Sequence, residues 1–142
     1  MADVARRPAR RGPTDDQSQP CPCGTGLPYP DCCGPVHRGA ATAGTAEALM
    51  RSRFSAFAVG HADYLLRSWH SSTRPARLRL DPAQRWTRLE ILATERGGLF
   101  DSEGAVAFRA HYREAGRPGM LDERSRFVRE DGRWVYLDGH AT

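Results

Sequence analysis

Large apolar side chains recur at helical spacing shortly after residue 44. Four of them would lie on one face of a helix: Leu49, Met50, Phe54 and Phe57. Thr45 can cap the N-terminus of this helix, Glu47 favours its first turn, and Gly60 stands just past its end. The pattern predicts an amphipathic helix between Thr45 and Gly60.

A second helical pattern follows in HADYLLRSWH, residues 61–70. Its apolar positions again share one face: Ala62, Leu65, Leu66 and Trp69. Asp81 followed by Pro82 is typical of a helix start and predicts a short third helix.

From Thr87 onward the period of the apolar positions changes to two, as expected for strands. RLEILAT (88–94) and AVAFRAHYR (105–113) both alternate, so that Arg109 and His111 share the face opposite Phe108. DERSRFV (122–128) and RWVYLD (133–138) flank an Asp-Gly pair, which is typical of a hairpin turn. Helices followed by antiparallel strands predict an α+β fold with the helices on one side of the sheet.

The sequence divides into a tail, a cysteine-rich segment, a linker and an α+β domain. Residues 1–20 carry four arginines and three prolines with almost no large apolar side chain, which predicts a disordered basic tail. Residues 39–44 are small and predict a linker between a cysteine-rich segment at 21–38 and the α+β domain at 45–140. At 142 residues, the chain has room for one ordinary domain and a small appendage.

Composition narrows the functional classes. Apolar residues make up 39% of the chain and charged residues 27%, as in globular proteins. All 21 basic residues are arginines and the net charge is +4, but acidic residues are interspersed, so nucleic-acid binding is expected at most through the tail. With no apolar run of about 20 residues and no secretory signal pattern, we expect a cytoplasmic protein without membrane contact.

All four cysteines lie within CPCGTGLPYPDCC, residues 21–33. A reducing compartment disfavours disulfides, and the Cys-x-x-Cys pair typical of redox sites is absent. Four thiolates at this spacing can converge on one tetrahedral Zn²⁺, which would fold a segment too short to have a core. If Cys32 and Cys33 begin a helical turn, both can reach one metal. His37 is an alternative fourth ligand, and this question stays open at the sequence level.

Two sets of residues carry a family resemblance. CPCGTGLPYPDCCG resembles the SEC-C motif, a small zinc knuckle found in the SecA translocation ATPase and in many bacterial proteins. LMRSRFSAFAVGHADYLLRSWH and ERSRFVREDGRWVYLDG resemble the YchJ family, in which such a knuckle precedes a domain similar to nuclear transport factor. The resemblance implies one structural zinc held by Cys21, Cys23, Cys32 and Cys33. It also implies a cone, in which a bent antiparallel sheet wraps over the helices.

Related cones bind small ligands or catalyse proton transfer in their cavity, and they often dimerise. Six residues are polar or aromatic candidates for such a cavity: Trp69, His70, Trp86, His111, Glu123 and Arg126. His111 could act as a general base oriented by Glu123. The alternative for His111 is a solvated strand face, and the alternative for Trp69 is a core position. Arg51 or Arg53 could reach Glu123 in a structural ion pair or, alternatively, bind an anionic ligand.

Three functional hypotheses follow from these features. The first is a zinc-bearing adaptor that docks a protein or ribosomal partner through the knuckle, near Arg38, and is not an enzyme. The second is a small ligand-binding protein or enzyme that uses the cone cavity. In the third, the knuckle only stabilises the cone. We also expect a homodimer.

Overall fold

The computed structural model describes residues 19–142, and residues 1–18 of the expected basic tail lie outside this range. Its helices are α1 (Cys33–Arg38), α2 (Ala46–Val59) and α3 (Ala62–Arg67), and its strands are β1 (Gln84–Arg96), β2 (Glu103–Glu114), β3 (Arg117–Glu130) and β4 (Arg133–Ala141). Gln19 and Pro20, the end of the expected tail, already belong to the folded part. The Gln19 carbonyl accepts from Tyr29 N, and Pro20 forms a bridge with Pro28.

Helix α2 confirms the first prediction from the sequence. The Thr45 hydroxyl accepts a hydrogen bond from Ala48 N at 3.0 Å, and Gly60 ends the helix with φ of 81°. That left-handed conformation suits glycine, which has no Cβ. Helix α3 confirms the second pattern but ends at Arg67, so that Trp69 lies beyond it.

The predicted third helix at Asp81 is wrong. The Asp81 carboxylate accepts from Ala83 N and its carbonyl accepts from Gln84 N, which closes a turn instead. Strand β1 starts directly after this turn, three residues before the predicted change of period at Thr87. Aspartate stabilises both helix starts and turns by the same side-chain bond, and here the strand that follows decides the outcome.

The four strands form an antiparallel meander in the order β1-β2-β3-β4. Asp131 and Gly132 both have positive φ values, 54° and 80°, and connect β3 to β4 as the predicted hairpin turn. The register shifts at three places: between Trp86 and Arg88, between Ile91 and Ala93, and between Arg126 and Phe127. Such bulges bend the strands, and bending lets the sheet curve around a helix.

Helix α2 packs against β1, β2 and β4, and the main hydrophobic core lies between them. The innermost side chains include Phe54 from α2, Val106 from β2 and Phe127 from β3. The 39–44 stretch also packs here, because Ala43 is buried and the Gly44 carbonyl accepts from the indole nitrogen of Trp134 at 3.2 Å. The predicted α+β fold is confirmed, and no helix within residues 19–142 is long and apolar enough to cross a membrane.

Candidate metal centre and cone cavity

The four cysteines, which precede helix α2 in the chain, form one cluster. Their sulfur atoms all lie within 4.8 Å of one another, and Cys23 Sγ is 3.5 Å from Cys32 Sγ. A tetrahedral site with metal–sulfur bonds of about 2.3 Å requires sulfur atoms about 3.8 Å apart. The cluster therefore fits a single metal ion bound by four thiolates.

Local backbone structure explains how so short a segment converges. Cys21 N donates to Leu27 O at 2.7 Å, and Gly24, with φ of 90°, turns the chain between them. Cys32, with φ of −130° and ψ of −100°, is the non-helical residue before α1, and Cys33 is the first residue of the helix. Both were expected to begin a helical turn, but only Cys33 does, and their sulfur atoms nevertheless lie in the same cluster.

The thiols of this cluster shift one another's pKa values, which determines the protons that a bound metal ion must displace. Hydrogen bonding to Cys23 raises the pKa of Cys21 to about 11, and hydrogen bonding to Cys21 and Cys23 raises the pKa of Cys33. Hydrogen bonds from Cys21 and Cys33 lower the pKa of Cys23. The cluster thus favours a thiolate at Cys23 and protonated thiols at Cys21 and Cys33, and a metal ion that binds these sulfur atoms must displace their protons.

His37 does not belong to the metal cluster. Its Nε2 donates to the Ser52 carbonyl at 2.8 Å, so its Nδ1 accepts from the Tyr29 hydroxyl at 2.6 Å. Only 1% of His37 is exposed, and burial lowers its pKa, which keeps the ring neutral. His37 therefore connects the knuckle (residues 19–38) to helix α2 by hydrogen bonds.

Two arginines reinforce this connection from the cone side. Arg51 of α2 donates to the Cys23 carbonyl at 2.7 Å and also pairs with Glu47. Arg67 of α3 donates to the His37 carbonyl at 2.7 Å. The knuckle is therefore attached to both α2 and α3 at several points.

A groove of about 580 Å³ runs between the knuckle and the α2–α3 connection. Tyr29, Pro30 and Arg38 line it from the knuckle. His61 and Asp63 line it from the cone. Because its two walls come from different parts of the chain, the shape of the groove depends on how the knuckle sits on α2.

A second cavity of about 150 Å³ lies inside the cone, between α2 and the sheet. Three of the six cavity candidates line it: Trp69, Trp86 and Glu123. The other three lie elsewhere. His70 is bonded to Ser72 and lies 3.7 Å from Glu130, and Arg126 pairs with Asp138 on the other side of the sheet from Glu123.

The expected pair of His111 and Glu123 is not formed. Cα pairing places Glu123 beside Phe108 on the inner face, whereas His111 pairs with the exposed Met120 on the outer face. There His111 Nε2 contacts Glu90 at 2.5 Å. His111 therefore lies on the strand face away from the cavity, as the alternative interpretation had it, and Glu90 is the partner that the sequence analysis missed.

The expected ion pair between Arg53 and Glu123 is also not formed. Arg53 donates instead to the Leu65 carbonyl at 2.9 Å and to the Ser68 hydroxyl at 2.6 Å, and Arg51 is occupied by Glu47 and Cys23. Tyr29 and Ser52, which form hydrogen bonds with His37, were not predicted from the sequence. Their signal is weak, since a tyrosine and a serine at these positions are typical of many surfaces.

Known proteins resemble this chain in sequence and in structure. The family model for the YchJ middle domain, described as NTF2-like, matches residues 45–139. The chain belongs to the YchJ family. The UPF0225 protein SCO1677 of Streptomyces coelicolor is 61% identical over 84% of this chain and 94% of its own length, and the UPF0225 protein Reut_A0143 of Cupriavidus pinatubonensis is 46% identical over 95% and 94%.

Solved structures agree with the fold and with the motif. The solution structure of RPA3114, a SEC-C motif containing protein from Rhodopseudomonas palustris, has a TM-score of 0.77 and 33% identity. The structural alignment covers 87% of this chain and 99% of RPA3114. A SEC-C motif containing protein from Psychrobacter arcticus has a TM-score of 0.72 and 28% identity over 86% of this chain and 82% of its own. The knuckle and the cone therefore occur together in related proteins.

Proposed function

We propose that this protein is a cytoplasmic zinc-binding adaptor, in which one structural Zn²⁺ orders the knuckle so that it can dock a partner protein. The observation that carries the proposal is the groove of about 580 Å³ formed jointly by the knuckle and the cone. Ligand sites commonly fall in this size range, and they favour the boundaries between structural units.

Zinc is the metal that the donor set favours. Four thiolates in a closed tetrahedral arrangement are typical of structural Zn²⁺ sites, and no coordination position is left for a substrate. Thr25 lies 3.1 Å from Cys32 Sγ, where its hydroxyl can donate to a bound thiolate. The reducing cytoplasm keeps the thiols available for the metal.

The groove suits a protein segment better than a nucleic acid. Its charged residues have both signs, with Arg38 on one wall and Asp63 on the other, and the aromatic rings of Tyr29 and His61 are also present. Nucleic-acid sites depend on accumulated positive charge, which the acidic wall opposes. A ribosomal partner would therefore be a ribosomal protein in this proposal.

A photo-crosslinking experiment tests the docking surface in bacterial cells. A benzophenone amino acid replaces Ala62, which lines the groove, and in a matched control it replaces Met120, which is 56% exposed on the outer face of the sheet. We expect one discrete cross-linked protein with the probe at position 62 and none with the probe at 120. The adduct should disappear when Cys32→Ser and Cys33→Ser are added, because the knuckle wall of the groove then loses its order.

Three results would argue against the adaptor. Equal labelling from positions 62 and 120 would show that the groove has no special role. An adduct that survives the two serine substitutions would show that docking does not need the metal. Absence of any adduct at 62 would favour the hypothesis that the knuckle only stabilises the cone.

A further inference from the structure

Arg53 is a buried cation at the wall of the cone cavity. Only 4% of it is exposed, and it forms no salt bridge with any residue in the 19–142 range. Burial lowers its pKa to about 10, so the guanidinium remains charged at neutral pH. A buried charge without a counter-ion is costly, and proteins rarely keep one without a use.

Part of the Arg53 guanidinium still lacks a hydrogen-bond partner. One terminal nitrogen donates to Leu65 O and to the Ser68 hydroxyl, which are both neutral acceptors. Nε and the other terminal nitrogen make no hydrogen bond within the described residues. Since guanidinium has five N–H donors, three are left over. The guanidinium carbon lies 4.8 Å from the centre of the Trp69 ring and 4.4 Å from that of Tyr136, and both rings line the cavity.

The sheet side of the same cavity also presents polar groups that lack partners. Ser125 is 2% exposed, and its hydroxyl makes no hydrogen bond among residues 19–142. Glu123 lines the cavity beside it, again with no hydrogen bond or salt bridge from its carboxyl group in that part of the chain. Burial raises the pKa of Glu123, which favours the protonated form that can donate a hydrogen bond.

We infer that the cone cavity binds a small organic carboxylate, with its carboxylate group on Arg53 and its apolar body between the aromatic walls. This site is separate from the groove proposed for the partner protein. Arg53 supplies the charge and a fork of donors that matches a carboxylate. The Ser125 hydroxyl, and Glu123 when protonated, donate from the sheet side.

The volume and lining of the cavity set the size of the ligand. An apolar cavity of about 150 Å³ accommodates a benzene ring in another protein, so a ligand of roughly six to ten non-hydrogen atoms is expected. The walls are mainly aromatic or aliphatic: Met50, Phe54, Phe57, Trp86, Phe108 and Leu121. A planar monocarboxylate fits this lining better than a phosphate, whose charge would need more donors than the cavity offers.

Three planar molecules of nearly equal shape test the proposal on the full-length, zinc-loaded chain. Benzoate, benzamide and benzamidine are anionic, neutral and cationic, and each is titrated while amide NMR signals are recorded. We expect benzoate to shift the amides of Phe54, Ala110 and Ser125 in a saturable way, with benzamide at least about tenfold weaker and benzamidine inactive. Equal binding of benzamide, a preference for benzamidine, or no shift with benzoate up to about 10 mM would overturn the proposal.

Two substitutions separate the charge of Arg53 from its packing. Arg53→Met should abolish benzoate binding, and Arg109→Met is the matched control because Arg109 pairs with Asp122 on the outer face. Glu123→Gln should tighten benzoate binding several-fold at a pH above the pKa of Glu123, because the deprotonated carboxylate would repel the ligand there, whereas the amide is a neutral donor at every pH. If Arg53→Met fails to fold, Glu123→Gln and the ligand series decide: unchanged or weaker benzoate binding in Glu123→Gln would count against the proposed geometry.

Discussion

At the residue scale, a buried polar network around His37 connects the metal segment to the cone. His37 donates to the Ser52 carbonyl and accepts from the Tyr29 hydroxyl, and its ring packs 4.7 Å from that of Tyr64. Tyr64 in turn shares a hydrogen bond of 2.6 Å with the Ser52 hydroxyl. Buried polar groups stabilise a fold only when their hydrogen bonds are satisfied, so each member of this network depends on the others.

Removal of the Tyr29 hydroxyl tests this network. Tyr29→Phe leaves Nδ1 of the buried His37 without its donor, and we expect the free energy of unfolding to fall by about 1–2 kcal/mol. Tyr112→Phe is the control, because the Tyr112 hydroxyl has no hydrogen bond to any other described residue; its effect should stay within about 0.5 kcal/mol. Urea unfolding of the zinc-loaded variants measures both values, and equal losses would contradict the role assigned to Tyr29.

At the element scale, the knuckle and the cone each have a core of their own, and Val36 of α1 packs against a smaller cluster of Ala56, Tyr64 and Leu65 between them. The knuckle core consists of the cysteines and Tyr29, whereas the cone core is built from α2 and the sheet. If the cluster binds zinc as proposed, the ion would supply most of the folding free energy of the knuckle, on the order of 10 kcal/mol for structural zinc in small peptides. We expect the cone, whose core lies between α2 and the sheet, to fold without it.

Metal removal should consequently unfold the knuckle and leave the sheet intact. After zinc is extracted with a chelator, we expect the amides of Cys21 and Gly24 to exchange their hydrogens rapidly, because their turn bonds depend on the metal. The amides of Val106 and Phe127, in the centre of the sheet, should keep their protection. Hydrogen exchange monitored by NMR distinguishes this from simultaneous loss in both regions, which would mean that the metal holds the whole chain together.

The sequence predicted the elements well where the signals are local. Thr45 and Gly60 marked both ends of α2, and Asp131 with Gly132 marked the last hairpin turn. The partners of Arg53 and His111 could not be predicted, because they depend on register across strands and on bulges such as that between Trp86 and Arg88. Alternation along one strand shows which residues share a face, but not which residue on the next strand lies opposite.

At the scale of the whole molecule, helix α2 connects the knuckle, the groove and the cone cavity. The knuckle, which the proposed metal would order, forms one wall of the groove. Helix α2 carries both Arg51, which contacts the knuckle, and Arg53, which lines the cavity. The outer sheet face instead carries charged pairs such as Arg109 with Asp122. The expected homodimer stays a prediction.

The central claim is that the four cysteines hold one zinc ion. Elemental analysis of protein purified without added metal tests it most directly, with the Cys32→Ser/Cys33→Ser variant measured in parallel. The account predicts about one zinc per chain in the wild type and a large loss in the variant, because two thiolates cannot form a closed four-sulfur site. Wild-type protein that contains no zinc, or that contains as much zinc as the variant, would contradict it.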